Sequence, residues 1–256
     1  MWTDVIDLDD FYRSRLGMIA RRAVRDEIRT VWPDVRGMTV AGMGYATPYL
    51  DQFADEAERV VAVMPAHQGV TRWPREAPNL ATLADDAELP FPDLSVDRLL
   101  LVHALECSEQ LRPMMREAWR VLSGSGRLLV VVPSRRGFWA RYDGTPFGHG
   151  YPYSQGQLKR VMRDCMFSPT QTSRALYIPP VRSRFLLHSA QKVERLGHRW
   201  FATFGGVNLI EASKQIYAAT PAPARKPAPR RLVVLPGRPT AARVGSKNVS
   251  RKDPAS

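Results

Sequence analysis

Cysteines and long apolar runs are scarce in this sequence. Of its 256 residues only Cys107 and Cys165 are cysteines, and neither belongs to a metal-ligand spacing. We therefore expect reduced thiols rather than a disulfide or a zinc site. No apolar stretch approaches the roughly 18 to 20 residues that span a bilayer, and the first residues contain no basic segment leading into an apolar one. These absences predict a cytoplasmic protein without a membrane segment.

Acidic residues are scarce near the C-terminus, and this scarcity accounts for most of the net charge of +12. Between residues 219 and 256 the sequence has nine lysines and arginines against one acid, Asp253. Such a basic, proline-rich segment cannot bury enough apolar surface to fold. We predict one folded domain over residues 1–218 and a disordered basic tail over residues 219–256.

Residues 1–218 alternate between short apolar runs and segments with helical spacing, which is typical of an α/β fold with a parallel sheet. Strands are predicted near residues 38–41, 59–63, 79–83, 98–103, 127–132, 170–177 and 207–217, and helices over 9–31, 46–58, 109–122 and 154–166. The predicted fold class is a doubly wound, mostly parallel sheet of about seven strands with helices on both faces. The first helix would act as a lid or a flank for the sheet.

A glycine turn follows the first predicted strand, within Val40–Ala46. The missing Cβ atoms of Gly42 and Gly44 would let a ligand approach the backbone, and the next helix would present free N–H groups there. A G-x-G after an apolar strand is equally consistent with a tight turn, so this segment alone predicts no particular ligand.

The order of motifs after this turn is more specific. In chain order they are Asp85-Asp86, Leu89-Pro90-Phe91, the strand that ends at His103, Arg120-Val121-Leu122 and the glycines Gly124 and Gly126 before the next strand. Over about residues 40–133 this order and spacing resembles class I S-adenosylmethionine-dependent methyltransferases, in particular their small-molecule "type 11" branch. The resemblance implies a Rossmann-like methyltransferase fold, S-adenosyl-L-methionine as cofactor, and methyl transfer to an unidentified small-molecule acceptor.

The resemblance also implies roles for individual residues. Gly42 and Gly44 would line the methionine half of the cofactor, and Asp85 would accept a hydrogen bond from the adenine amino group. Loops that follow neighbouring parallel strands meet at one edge of the sheet, so these residues should converge. The predicted cofactor-binding set is Gly42, Met43, Gly44, Tyr45, Met64, Asp85, Asp86 and His103.

Two acids of the family pattern are missing. Val40 stands where an acid usually holds the amino-acid end of the cofactor, and Met64 follows the second strand where an acid usually binds the ribose. Hydrogen bonds to charged groups contribute about 1.5 to 3 kcal/mol each, so two losses weaken binding by a few powers of ten unless other groups compensate. His67 and Gln68 are candidate substitutes for the ribose acid.

No catalytic residue can be assigned from the sequence. Methyl transfer is an in-line displacement that mainly requires alignment, and a base is needed only when the acceptor retains its proton. His103 and His149 are the candidate bases, and neither belongs to a recognisable set with an orienting partner. The aromatic and glycine-rich segment 138–151 is either a substrate wall or ordinary packing. Its polar candidates are Arg135, Arg136, Tyr142 and His149.

Other interpretations of the same residues remain open. Asp85 and Asp86 could cap a turn, and His103 could be a structural histidine. The missing acids suggest a second function, a catalytically inactive module that binds a protein partner. The basic tail suggests a third, a nucleic-acid methyltransferase or binder, which the modest charge of residues 1–218 does not favour.

Overall fold

The computed structural model describes residues 4–180, 194 and 205–215. It begins with two helices, α1 over Val5–Arg13 and α2 over Arg15–Val31, where the sequence predicted one. Ser14 separates them with an extended backbone (φ −66°, ψ 159°), and its side chain accepts a hydrogen bond from the Gly17 N–H. Serine is a preferred N-cap because its hydroxyl satisfies a free helix donor. The continuous helical pattern therefore hid a helix boundary.

The described residues form one seven-stranded sheet in the order β3-β2-β1-β4-β5-β7-β6. The strands are β1 Thr39–Gly44, β2 Arg59–Pro65, β3 Ala81–Ala84, β4 Val96–Val102, β5 Leu122–Pro133, β6 Phe167–Ala175 and β7 Val207–Lys214. Neighbours pair in parallel from β3 to β5, whereas β7 runs antiparallel to both β5 and β6. The prediction of about seven mostly parallel strands is confirmed.

The strand order reverses between β1 and β4, because the chain moves outward from β1 to β3 and then returns to the other side of β1. We call the carboxyl ends of β1 and β4 the switch point. Open α/β sheets bind their ligands in the crevice outside such a reversal. The fold therefore places the candidate site at the ends of β1 and β4.

Helices cover both faces of the sheet, as predicted. Alternate strand residues such as Val40, Leu100 and Val102 pack with α1 and α2, whereas Ala41 and Leu101 pack on the opposite face. The opposite face is covered by α4, Leu111–Val121, and α5, Gln155–Asp164. Full burial of a large apolar side chain contributes about 1.5 to 3 kcal/mol. The two apolar layers hold the carboxyl ends of the strands in fixed register.

Two element boundaries differ from the prediction. The crossover helix predicted over 46–58 is only α3, Thr47–Leu50, followed by a 3-10 turn at Asp51–Phe53. Tyr49, Leu50 and Phe53 are fully buried, so this short segment already inserts its large side chains into the core. The strand predicted from residue 127 begins at Leu122 and contains an irregularity before Arg127, because the register with β4 shifts there.

No helix within the described ranges is long and apolar enough to cross a membrane. The basic tail predicted over residues 219–256, and the end of the last predicted strand after residue 215, lie outside the described residues.

Candidate active site at the switch point

The glycine turn at the end of β1 is required by the packing of the chain on itself. Gly44 has φ +81°, and a Cβ atom there would overlap the carbonyl oxygen of Val102 on β4. A Cβ atom on Gly42 would lie 2.6 Å from the Ala46 Cβ and 2.7 Å from a methyl group of Leu50. These contacts explain both glycines without a ligand. They also bring the β1 turn directly against β4.

The two acids after β3 occupy different environments. Asp85 is exposed, and its Oδ1 accepts a hydrogen bond from the Ala87 N–H at 2.8 Å. Asp86 is 8% exposed, and its Oδ2 accepts from the Ser108 hydroxyl at 2.9 Å. Asp85 thus stabilises its own turn while facing solvent, and Asp86 connects this turn to the segment after β4.

Arg120 holds the Leu-Pro-Phe motif in place. Its guanidinium donates to the carbonyl oxygens of Leu89, at 3.0 Å, and Phe91, at 2.9 Å. It also pairs with Asp93 and Glu117. The hydrogen bond from Arg120 lowers the pKa of Glu117, which in turn accepts from the Leu89 N–H. Two motifs that are distant in the sequence therefore form one contact, which supports the turn that carries Asp85.

The end of β2 contains no exposed acid. Met64 is buried, and its Sδ lies 3.3 Å from the Thr71 N–H. His67 is exposed, whereas Gln68 is buried and donates its side-chain amide to the carbonyl oxygen of His103. Gln68 thus connects the loops after β2 and β4. Of the two candidate substitutes for the ribose acid, His67 is the one with an exposed side chain.

His103 is part of a buried polar cluster that the sequence did not reveal. Its Nε2 lies 2.8 Å from the Tyr12 hydroxyl, and its Nδ1 lies 3.2 Å from Glu106 Oε1. The side chains of His103 and Glu106 are 3% and 1% exposed. Glu106, three residues after His103, could have been recognised as an orienting partner. Tyr12 could not, because it comes from α1 and is 91 positions away.

Aromatic side chains close the switch point around His103. The Tyr12 ring stacks on the Tyr45 ring, with 5.6 Å between centroids, and the Tyr12 hydroxyl lies 2.9 Å from that of Tyr49. Burial raises the pKa of Tyr12 well above its usual value. Phe147 packs against the imidazole of His103 from the loop after β5, at 4.9 Å. The N-terminal helix α1, predicted to act as a lid or a flank for the sheet, therefore packs over the switch point.

Other predicted candidates lie outside this cluster. His149 Nε2 contacts the carbonyl oxygen of Asp143 within its own loop, at 2.9 Å, and Arg135 and Arg136 are exposed beyond β5. A cleft of about 600 Å³ opens beside Tyr12 and Tyr45 and is also lined by Arg13, Trp73 and Arg75 among other residues. This cleft adjoins the switch point on the side of β1.

The eight residues of the predicted cofactor-binding set lie in or directly after β1, β2, β3 and β4, which are adjacent in the sheet. This arrangement, with an antiparallel β7, defines a Rossmann-like methyltransferase fold. A S-adenosylmethionine-dependent methyltransferase from Thermotoga maritima has the same fold, with a TM-score of 0.59, 15% identity, and coverage of 82% of this chain and 96% of that one. A Haloferax volcanii methyltransferase, solved with the Trm112 methyltransferase activator, has a TM-score of 0.56 and 14% identity, with coverage of 82% of this chain and 98% of that one.

Sequence comparison finds similar proteins among the methyltransferases. Residues 40–130 match the family model described as "Methyltransferase domain". Two Mycobacterium tuberculosis proteins, each named "Probable S-adenosylmethionine-dependent methyltransferase", are 30% identical over 159 residues, which cover 60% of this chain. The chain spans 56% of the length of these relatives. The resemblance to class I S-adenosylmethionine-dependent methyltransferases is confirmed.

Proposed function

We propose that this protein is a S-adenosylmethionine-dependent methyltransferase that acts on a small-molecule acceptor. The observation that carries the proposal is the meeting of the β1 glycine turn with His103 at the switch point, inside the segment that matches the methyltransferase family. A switch-point crevice between a glycine turn and a polar loop is the expected ligand site of an open α/β sheet.

The residues present fit the adenosine end of the cofactor better than its amino-acid end. Asp85 is exposed after β3 and can accept a hydrogen bond from an adenine amino group. The amino-acid end has no acid on β1, because Val40 is apolar and buried. Arg13 and Arg75 line the adjoining cleft, and they are candidates to hold its carboxylate. The cofactor would supply a methyl group bonded to a positively charged sulfur.

The protein's own contribution is to align the acceptor and to exclude water. Phe147 and Tyr12 pack around His103, and the side chains of this cluster are almost completely buried. Exclusion of water strengthens every electrostatic interaction inside a site. Because Tyr12 belongs to α1, access for an acceptor requires this helix to move away from β4.

The proposal is tested by calorimetric titration of the full chain with S-adenosylhomocysteine. We expect saturable binding, which Asp85→Ala weakens about 10- to 100-fold through the loss of a charge-assisted hydrogen bond. Asp55→Ala is the matched control, since Asp55 is an exposed aspartate outside the site, and it should bind like the unmodified chain. The absence of binding at millimolar ligand, or equal weakening by both substitutions, would contradict the proposal.

A second candidate function is a non-catalytic module that binds a protein partner. It is favoured by the absence of acids at Val40 and Met64 and by the filling of the switch point by Tyr12. The Haloferax volcanii methyltransferase, which has the same fold, was solved with an activator protein. No binding of S-adenosylhomocysteine together with co-purification of a stoichiometric partner would make this function the leading one.

The predicted role of the basic tail in nucleic-acid binding concerns residues outside the described ranges. It remains the third candidate. Its test is deletion of residues 219–256, which should abolish nucleic-acid binding that falls steeply with salt. The cytoplasmic location also remains a prediction, supported by the two unpaired cysteines.

A further inference from the structure

We propose that His103, oriented by Glu106, is the base that accepts a proton from a hydroxyl acceptor, and that the Tyr12 ring occupies the acceptor's position while α1 is closed. The acceptor class is an aromatic hydroxyl compound. This inference rests on the proposed methyltransferase function. It starts from the buried cluster of His103, Glu106 and Tyr12. Alignment of a methyl donor with a methyl acceptor does not by itself require such a polar cluster.

The hydrogen-bonding capacity of the cluster assigns the proton on His103. His103 Nδ1 lies 3.2 Å from Glu106 Oε1 without the geometry of a hydrogen bond, and the negative charge of a carboxylate at this distance favours the tautomer with its proton on Nδ1. Nε2 is then an acceptor, and the Tyr12 hydroxyl at 2.8 Å donates to it. Tyr49 completes the chain by donating to the Tyr12 oxygen at 2.9 Å. The His103 nitrogen that faces the switch point is therefore the basic one.

Glu106 is suited to stabilise a protonated His103. Within the described part of the chain neither of its carboxylate oxygens accepts a hydrogen bond of good geometry, although the side chain is 1% exposed. A buried carboxylate without donors is costly, and a positive charge on the adjacent imidazole would offset this cost. The arrangement therefore favours the state that forms when His103 receives a proton.

The other titratable groups around the pair remain neutral. Tyr12 and Tyr49 face it from α1 and α3, Tyr153 from the segment after β5, and Cys107 follows Glu106 directly. Burial is the main cause that raises the pKa of each of these four groups. Tyr12 is consequently a neutral phenol that donates its proton in a hydrogen bond without losing it, as a bound acceptor would before reaction.

The surroundings of Tyr12 indicate the shape of the acceptor. Its ring stacks on that of Tyr45, at a centroid distance of 5.6 Å, and the His103 ring that its hydroxyl contacts packs against Phe147. Removal of the Tyr12 ring would leave a space bounded by aromatic rings with His103 Nε2 at one end. Such a space selects a planar ring that carries a hydroxyl group.

The position of Tyr12 on a separate helix makes its replacement by an acceptor feasible. The helix α1 ends at Ser14, where the backbone is extended. It contacts the loops of the site through the Val5 N–H to the Gln68 carbonyl and through Asp9 to Arg75. The helix also buries Val5, Leu8, Phe11 and Tyr12. A movement of α1 about Ser14 therefore exposes these side chains, and binding of the acceptor has to offset that cost.

The chemical step is balanced with the methyl donor as co-reactant. The acceptor O–H bond breaks, its proton goes to His103 Nε2, and the electron pair stays on oxygen. That oxygen forms the new bond to the methyl carbon while the carbon–sulfur bond breaks and its electron pair returns to sulfur. The products are the aryl methyl ether and neutral S-adenosylhomocysteine, and His103 then releases the proton to water.

The first test measures binding and needs no cofactor. The probe is p-cresol, which is the tyrosine side chain as a free molecule, and toluene is the same molecule without the hydroxyl. The Tyr12→Ala chain should bind p-cresol at least about tenfold more tightly than toluene, which corresponds to one hydrogen bond. Tyr12→Ala combined with His103→Phe should lose this preference. Tyr151→Ala removes an exposed ring and should bind neither probe.

The second test measures transfer by the Tyr12→Ala chain, with labelled S-adenosylmethionine and p-cresol. We expect 4-methylanisole as the product. Glu106→Gln should lower kcat with little change in KM, because Glu106 acts through His103. A chain that binds S-adenosylhomocysteine and p-cresol but forms no 4-methylanisole overturns this inference and leaves the methyltransferase proposal standing. Failure to bind S-adenosylhomocysteine overturns the methyltransferase proposal itself.

A third measurement decides the question if Tyr12→Ala does not fold. Nitrogen NMR of the unmodified chain, labelled at histidine, reports which ring nitrogen of His103 carries the proton near neutral pH. The inference requires Nδ1–H with an unprotonated Nε2. The opposite tautomer would overturn it, because a protonated Nε2 cannot accept a proton. Equal affinity of Tyr12→Ala for p-cresol and toluene would overturn it as well.

Discussion

The two sides of the switch point differ in where they place polar groups. On the side of β1, β2 and β3, the positions where the family usually has acids hold Val40 and Met64, both buried and apolar, and Asp85 is an exposed carboxylate on a turn. On the side of β4 and β5, His103 and Glu106 are polar and almost completely buried.

The two sides of the switch point are therefore held in place by different interactions. The β1 side depends on backbone packing, since its glycines and turns are fixed by contacts of the chain with itself. The β4 side depends on side-chain chemistry, since buried polar groups are retained only at a free-energy cost.

The largest expected effect comes from Gly44→Ala. Its φ of +81° and the overlap of a Cβ atom with the Val102 carbonyl oxygen should lower the free energy of unfolding by about 3 kcal/mol or more. Gly37 also has positive φ, at +68°, but nothing lies within 4 Å of its Cβ position. Gly37→Ala should therefore lose only about 1 kcal/mol. Urea denaturation of both variants measures the two losses in the free energy of unfolding. Equal losses would show that the overlap with the Val102 carbonyl oxygen adds nothing to the cost of a positive φ.

A smaller effect is expected from Arg120→Ala, which removes the donors to Leu89 and Phe91. We expect a loss of about 2 kcal/mol in the free energy of unfolding, together with weaker binding of S-adenosylhomocysteine, because the turn that carries Asp85 loses its support. Arg116 lies exposed on the same helix, and Arg116→Ala is the control. If the stability falls but ligand affinity does not, Asp85 is not part of the cofactor site.

The smallest effect concerns the charge on the β4 side. Burial, and secondly the carboxylate of Glu106, raise the pKa of the Cys107 thiol. Glu106→Gln removes the second cause, so the thiolate fraction rises and alkylation of Cys107 by iodoacetamide should accelerate a few-fold. Cys165 is the internal control, since burial also raises its pKa but Glu106 does not contribute. An unchanged Cys107 rate would show that the Glu106 carboxylate does not influence this thiol.

Much of the fold followed from local pattern. Apolar runs such as Arg98–His103 predicted β4 because a strand buried on both faces is apolar throughout. The break at Ser14 was missed because the apolar spacing continues on both sides of it. The helix after β1 was predicted too long, because the helical pattern continues after Ala46. The pattern does not reveal that the four buried residues of α3 already fill the core at this place.

The candidate site was predictable only where it is local. Gly44 and Asp85 belong to motifs with fixed spacing, so their place at the sheet edge could be inferred. The contact of Tyr12 with His103 joins residues 91 positions apart, and no spacing rule relates them. The role of Gln68 as a connector between two loops was equally hidden, because an amide shows no partner preference in a sequence.

Hydrogen–deuterium exchange of the full chain with and without S-adenosylhomocysteine tests the central claim most directly, since it reports both binding and its location. The account predicts slower exchange at the β1 turn around Gly44 and at the turn after β3, with altered exchange in α1 as Tyr12 leaves or tightens on the switch point. Unchanged exchange at all three segments at saturating ligand, or protection confined to other parts of the chain, would contradict the account.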